Sequence, residues 1–228
     1  MKPPVRVLLV GAAGRMGKTI LDLARNDPKI DIVAQCDLGD AIDPAMKQSD
    51  VVIDFSHSGA VEEICGAALQ HRRPLVIGTT GHSAEQRSLI ENAAKAVPIV
   101  FASNFSVGVN ALFALTHKAG DILGRDFSAE IVETHHRTKK DAPSGTAKTL
   151  SEILSKAQRI DDQIPIQSIR EGDVVGEHTV IFAGPGERLE LSHKASSREI
   201  FGRGALRAAQ WVIGKPPRLY SMQDVLGL

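Results

Sequence analysis

The feature that most restricts this chain is a rhythm: short apolar, β-branched runs alternate with helical segments through its first half. Val5 to Val10 is the first run, of the kind buried on both faces of a parallel sheet. It ends at Gly11-Ala12-Ala13-Gly14-Arg15-Met16-Gly17, and a helix through Ile20, Leu21, Leu23 and Ala24 follows. Ile32 to Cys36, Val51 to Phe55, Pro74 to Ile77 and Ile99 to Ala102 repeat the strand pattern. Helices are expected from about Gly59 to Gln70 and Ala84 to Ala96, while Asp37 to Ser49 reads as a short polar connection. This alternation specifies a doubly wound parallel sheet, an α/β Rossmann-like unit whose ligand lies outside the carboxyl ends of the strands.

The glycine-rich turn suits a dinucleotide. Glycines allow the tight turn, bring backbone N–H groups against a pyrophosphate, and let helix and strand pack closely. The spacing is G-x-x-G-x-x-G rather than the commoner G-x-G-x-x-G, so Gly11 to Gly17 is a variant of that fingerprint. Asp37 ends the second strand, where an acid can hydrogen-bond the adenosine ribose hydroxyls of NAD. Gly78-Thr79-Thr80 and Ala102-Ser103-Asn104-Phe105 also follow strands and are expected at the same edge. Each of these segments alone is ordinary turn chemistry. Their convergence points to a cofactor cleft.

After Ser106 the rhythm changes. Val109 to Leu123 reads as a long helix, and Ser106 to Asn110 as a hinge. Strands are expected at Glu130–His136, Ile164–Arg170, Val174–Phe182 and Arg188–His193. The links Glu171-Gly172-Asp173 and Gly184-Pro185-Gly186-Glu187 suit antiparallel pairing. We therefore expect a dinucleotide-binding domain over 1–106, rejoined by 207–228. A smaller α+β domain with a mainly antiparallel sheet is expected over 107–206.

The densest chemistry lies in Glu133-Thr134-His135-His136-Arg137-Thr138-Lys139-Lys140-Asp141-Ala142-Pro143-Ser144-Gly145-Thr146-Ala147. Period-two alternation sends His135 and His136 to opposite faces of a strand. A helix starts after Pro143-Ser144-Gly145, and its first turn offers backbone N–H groups that Gly145 lets an anion approach. With Ser144 and Thr146 hydroxyls, the histidines and the lysines, this makes a site for a carboxylate with proton-transfer groups beside it. Splayed histidines with no C-x-x-C or H-E-x-x-H partner do not compose a metal site.

The HHxxKxDAPSGTA core of this stretch closely resembles the signature of the dihydrodipicolinate reductase family, and the closing Arg218 to Leu226 resembles the family's tail. The resemblance implies reduction of 4-hydroxy-tetrahydrodipicolinate to tetrahydrodipicolinate, a cyclic dicarboxylate, with NAD(P)H in diaminopimelate and lysine synthesis. It places His135 and Lys139 as the catalytic proton-transfer pair, and His136, Lys139, Ser144, Gly145 and Thr146 around the substrate. It sets Gly78–Thr80 and Ala102–Phe105 beside the nicotinamide ribose. The family often has an arginine after the ribose acid, where this chain has Leu38; that favours NADH, while Arg15 leaves NADPH use open. The family also carries a longer insertion near Asp40 and assembles as a homotetramer through the second domain.

Composition narrows the rest. Lys plus Arg and Asp plus Glu both number 27, so a nucleic-acid partner has no electrostatic support. Cys36 and Cys65, on a predicted strand and helix, fit a reducing cytoplasm better than a disulfide framework. No apolar stretch is long enough to span a membrane. A related nicotinamide enzyme, such as an aspartate or homoserine dehydrogenase, or a non-catalytic NAD sensor, would use the glycine turn. Neither has a use for the His135/Lys139 stretch.

Overall fold

The structure is a computed structural model that describes residues 3–161 and 163–228. The chain divides into two compact units, Met1–Ser106 with Glu199–Leu228, and Val107–Arg198. The first runs β1 (Val5–Val10), α1 (Arg15–Ala24), β2 (Ile30–Cys36), α2 (Ile42–Gln48), β3 (Val51–Asp54), α3 (Val61–His71), β4 (Leu75–Ile77), α4 (Ala84–Ala93) and β5 (Ile99–Phe101). The second holds α5 (Val107–Leu123), β6 (Ser128–His135), α6 (Gly145–Gln158), β7 (Ile166–Arg170), β8 (Gly176–Gly184) and β9 (Glu187–Ala195). The chain then re-enters the first unit at Glu199, ahead of residue 207, with α7 (Glu199–Val212), β10 (Leu219–Tyr220) and α8 (Met222–Leu226).

In the first unit six strands pair in the order β10-β5-β4-β3-β1-β2, all parallel. Alternation along β1 explains the two layers of core. Val7 and Leu9 face the cluster closed by α1, α7 and α8, whereas Leu8 and Val10 face the one closed by α2, α3 and α4. Strand order reverses at β1, which lies between β2 and β3, and such a switch point is where doubly wound sheets take ligands.

Two features differ from the sequence expectation. The connection after Asp37 contains α2, because Ile42 and Met46, four residues apart, both bury into the core. Pro44 is tolerated there because it sits in the first turn, where its missing N–H is not needed. In the second unit β7 pairs parallel with β6, not antiparallel with β8, giving the order β7-β6-β8-β9. The helix α6 separates β6 from β7 along the chain, and a helical crossover returns a strand in the same direction as the one it left. The β6–β8 and β8–β9 pairs are antiparallel, with Gly184 opposite Glu187 at the hairpin.

One side of this second sheet is covered by α5 and α6. Val109, Leu112 and Phe113 from α5, with Leu150 and Leu154 from α6, pack on Ile131, Val180 and Phe182. Among the described residues no helix is long and apolar enough to cross a membrane.

Helix α7 carries small residues on its buried side, Gly202, Gly204, Ala205, Ala208 and Ala209. They bring it close to its neighbours: a Cβ at Gly204 would stand 1.8 Å from the Phe105 carbonyl oxygen. Alanine normally stabilises a helix interior over glycine by about 1 kcal/mol. Here backbone overlap wins, and Gly204→Ala is expected to lose about 1–3 kcal/mol, the usual range for overpacking. Denaturant unfolding measures it, and an increase in stability would show that α7 does not approach Phe105 so closely.

Candidate active site

The cofactor residues expected from sequence all lie in the first unit, at the carboxyl ends of its strands. Gly11 follows β1 with φ +84, and a Cβ there would lie 2.5 Å from the Phe55 carbonyl oxygen, so only glycine serves. Asp37 follows β2 and turns back to the loop, both carboxylate oxygens accepting from the Ala13 N–H at 3.1 and 3.0 Å. Helix α1 starts at Gly14 without a side-chain cap and with no acid in its first turn. By contrast Ser83, Ser144 and Ser221 cap α4, α6 and α8 with their side chains. Gly78 to Thr80 follows β4 and Ala102 to Phe105 follows β5, with Arg15 and Thr80 exposed and Thr79 buried.

Phe55 ties these segments together. Its carbonyl faces Gly11, its ring fills the space a Cβ at Gly78 would need, and it lies 5.7 Å from the Phe105 ring. Beside it Asp54 is buried and accepts from the Ser56 N–H and hydroxyl. Burial pushes its carboxyl above the usual range despite those bonds.

The second unit holds the other set. Register aligns Ser168, Glu133, His178 and His193 in one row across all four strands, and Arg170 opposite His135 two residues further on. Alternation along β6 buries Ile131, Glu133 and His135 and leaves His136 half-buried beyond the strand end. Glu133 has no exposed surface. Its Oε1 accepts from Arg170 Nη2 at 2.9 Å and from the Ser144 N–H at 3.1 Å. Burial opposes its ionisation, but hydrogen bonds from Ser168, Arg170 and Ser144 outweigh it and hold the carboxyl at about 2.

His135 rests on that carboxylate, with Nδ1 2.7 Å from Glu133 Oε2. The approach is off the hydrogen-bond line, so the contact is chiefly electrostatic and leaves both atoms without an aligned hydrogen-bond partner. Burial lowers the His135 pKa, Glu133 counters this, and Lys139 and Arg170 lower it further. His178 packs edge-on at 5.1 Å between ring centroids, and burial together with His135 pushes it down to about 4. The Ser144 hydroxyl accepts from the Ala147 N–H and lies within hydrogen-bond distance, 3.1 Å, of His178 Nε2, the donor being set by the imidazole tautomer.

Ser144 therefore turns its side chain inward as the cap of α6. Gly145 and Thr146 form the first turn, and among the described residues a Cβ built on Gly145 would meet nothing within 4 Å beyond its chain neighbours and its own helix backbone. Lys139 is paired with Asp141 at 2.8 Å. The His136 Nδ1 lies 2.8 Å from the Thr138 hydroxyl. His135, His136, Lys139, Ser144, Gly145 and Thr146 are thus gathered around one strand end and one helix start.

Sequence profiles match both parts of the chain: "Dihydrodipicolinate reductase, N-terminus" over residues 5–105 and "Dihydrodipicolinate reductase, C-terminus" over 108–226. The chain belongs to the dihydrodipicolinate reductase family. A 4-hydroxy-tetrahydrodipicolinate reductase of Akkermansia muciniphila is 49% identical over 242 residues, covering 98% of each chain. One from Methanoculleus marisnigri is 43% identical over 252 residues, covering 98% of this chain and all of that one. The fold is shared with a dipicolinate-bound dihydrodipicolinate reductase from Paenisporosarcina sp. TG-14, at a TM-score of 0.84 and 22% identity over 97% of this chain and 98% of that chain.

Sequence reasoning missed Glu133, Arg170, His178 and Phe55 as parts of these sites. Glu133 was legible in principle, since an acid at an inward position of a strand, two residues before His135, is unusual in a core. Arg170 and His178 gave no such signal, because only strand register brings them there.

The depressed histidine has a consequence for pH. The His178 pKa falls from its ordinary 6.5 to about 4 on folding, so the unfolded chain takes up the proton first. Its stabilising effect is present above about pH 6.5 and is lost as pH falls toward 4. Glu133 acts lower, its contribution being present above its ordinary 4.5 and lost as pH falls toward about 2. Thermal unfolding across this range is expected to show a decline between pH 6.5 and 4 that flattens in His178→Asn; equal slopes would place the titration elsewhere.

Proposed function

We infer that this chain catalyses the NAD(P)H-dependent reduction of 4-hydroxy-tetrahydrodipicolinate to tetrahydrodipicolinate, with loss of water, in diaminopimelate and lysine synthesis. One observation carries the chemistry: a buried His135 seated on an ionised Glu133, with Lys139 nearby and a capped helix start beside them. The curated relatives of that name, 38–49% identical over 98% of this chain, support the substrate.

The first unit fits a dinucleotide. The uncapped α1 start and the Gly11 turn keep backbone N–H groups for a pyrophosphate. Gly11, Ala12, Ala13, Gly14, Arg15, Met16 and Gly17 form that cradle. Asp37 holds the adenosine ribose, with carboxylate lone pairs left beyond those used by Ala13, and Gly78–Thr80 and Ala102–Phe105 border the nicotinamide end. The nicotinamide cofactor, when bound, supplies the hydride.

In the second unit His136, Lys139, Gly145 and Thr146 hold the substrate carboxylates, and Ser144 contributes by fixing the turn that Gly145 and Thr146 present. His135 and Lys139 move protons at the reacting ring. A neutral imidazole that gives up an acquired proton readily is what burial beside two cations produces. The face of the second sheet away from α5 and α6, with Glu130, Arg188, Glu190 and Lys194 exposed, is where we place the contacts of a homotetramer. Cys36 and Cys65 are free and buried, in keeping with a cytoplasmic enzyme.

Kinetics with the freshly generated synthase product test this reading. His135→Gln is expected to lower kcat by about 10²–10⁴, the usual worth of a positioned acid, with a modest change in KM. Lys139→Ala should lower kcat and raise KM together, and the double variant should be less than multiplicative. Dinucleotide binding, read by calorimetry, should survive in all three. Near-normal turnover in both single variants would reduce the loop to a binding element.

NADH is the proposed preferred cofactor, because Asp37 is followed by the exposed Leu38 and, among the described residues, no cation is seen bonded to Asp37 to offset a 2′-phosphate. The expected result is a higher kcat/KM with NADH than with NADPH. An NADPH advantage would overturn the preference and turn attention to Arg15.

A further inference from the structure

We propose that Arg170 is a positioning residue that sets both proton-transfer groups at once, an inference that rests on the function proposed above. The parallel pairing of β7 with β6 brings Arg170 opposite His135. Its Nη2 donates to Glu133 Oε1 at 2.9 Å and to the Asp141 carbonyl at 2.6 Å. Glu133, through its other oxygen, lies against His135 Nδ1 at 2.7 Å. Asp141, through its side chain, holds Lys139 Nζ at 2.8 Å. One guanidinium therefore joins the carboxylate behind the histidine to the residue that holds the lysine.

Charge compensation alone does not account for this arrangement. A buried Glu133 needs a cation, and the bond to Oε1 supplies it. The second bond goes to a backbone carbonyl in the irregular segment between β6 and α6, which is the segment that carries Lys139. The backbone of that segment is also held by the Arg137 N–H on the Gly172 carbonyl, the Lys139 N–H on the His136 carbonyl and the Ser144 N–H on Glu133. Arg170 ties it to the rigid sheet. Both bonds leave the same Nη2, whose hydrogens are fixed in the guanidinium plane; a lysine at this place would keep the charge but not that fixed donor geometry.

Arg170 also tunes what it positions. The charged and titratable groups facing His135 are Glu133 on its own strand, His178 on β8, Arg170 on β7, and Lys139 in the loop. Removing the positive charge of Arg170 leaves Glu133 ionised and His135 easier to protonate. Its titration therefore moves to higher pH.

The test uses the full chain with Arg170→Gln and Arg170→Lys, folding being checked by thermal unfolding. Arg170→Gln is expected to lower kcat about 10²-fold, the cost of misplacing reacting groups, with NADH binding unchanged. The pH–rate limb of His135, and its imidazole titration by NMR, should move upward. Arg170→Lys should recover part of the rate and return the titration toward the wild type. In a His135→Gln, Lys139→Ala background, Arg170→Gln should change the residual rate by less than about twofold, because its effect passes through those two groups. A folded Arg170→Gln with wild-type kcat and His135 titration overturns the proposal, as does a fully multiplicative loss in that background. If Arg170→Gln does not fold, a wild-type kcat in Arg170→Lys overturns it. A wild-type chain that leaves the substrate unreduced would instead refute the function, and the NMR titration would still judge Arg170.

Discussion

Much of the second unit depends on one buried carboxylate. Glu133 has no exposed surface, and an ion in that position is tolerated only if every oxygen is addressed. The partners come from three directions: Arg170 and Ser168 on β7, the Ser144 N–H at the start of α6, and His135 further along β6. Each also lies in the candidate site. The register of β7, the docking of α6 and the ring of His135 are therefore fixed by the same ion, and the stability of this region and its chemistry are hard to separate.

The first unit is organised differently. Its cleft is shaped by close backbone approach rather than by charge. The Phe55 carbonyl and ring occupy the spaces that side chains at Gly11 and Gly78 would fill, and Phe105 packs on the same ring. The polar groups at its edge are few and direct, with Asp37 reaching back to Ala13 and Asp54 buried under Ser56. A cofactor with a long, flexible dianionic middle suits a surface of backbone N–H groups. A small dicarboxylate that must be protonated suits a network of titratable side chains.

Within that network the histidines are not equivalent. His178, the more deeply buried, stays neutral down to about pH 4 and serves the Ser144 cap, whereas His135 sits at the sheet end beside Lys139 and Arg170. His136 lies beyond the strand, half-buried and close to Thr138. Adjacent histidines in the sequence thus divide between an inward position on the buried carboxylate and an outer position beyond the strand end.

The sequence by itself determined the parts that depend on local rules. A continuous apolar run at Val5–Val10, period two along Ala129–His135, glycines at the β1–α1 turn, and a Ser-Gly helix start each follow from steric or hydrogen-bonding preferences of a few neighbouring residues. They were enough to name the parallel sheet, the edge where its glycine-rich turn lies and the position of the His135–Thr146 stretch. Tertiary structure decided what those rules cannot reach. Whether Ile166–Arg170 pairs with β8 or with β6 depends on where α6 docks, and only the β6 pairing brings Arg170, 37 residues away in the chain, onto Glu133. Ser144 looked like a hydroxyl offered to a ligand, yet it turns inward because the helix N–H of Ala147 and the ring of His178 compete for it. A short-range pattern specifies which residues face the core; which charges meet there is set by strand register, and register belongs to the whole sheet.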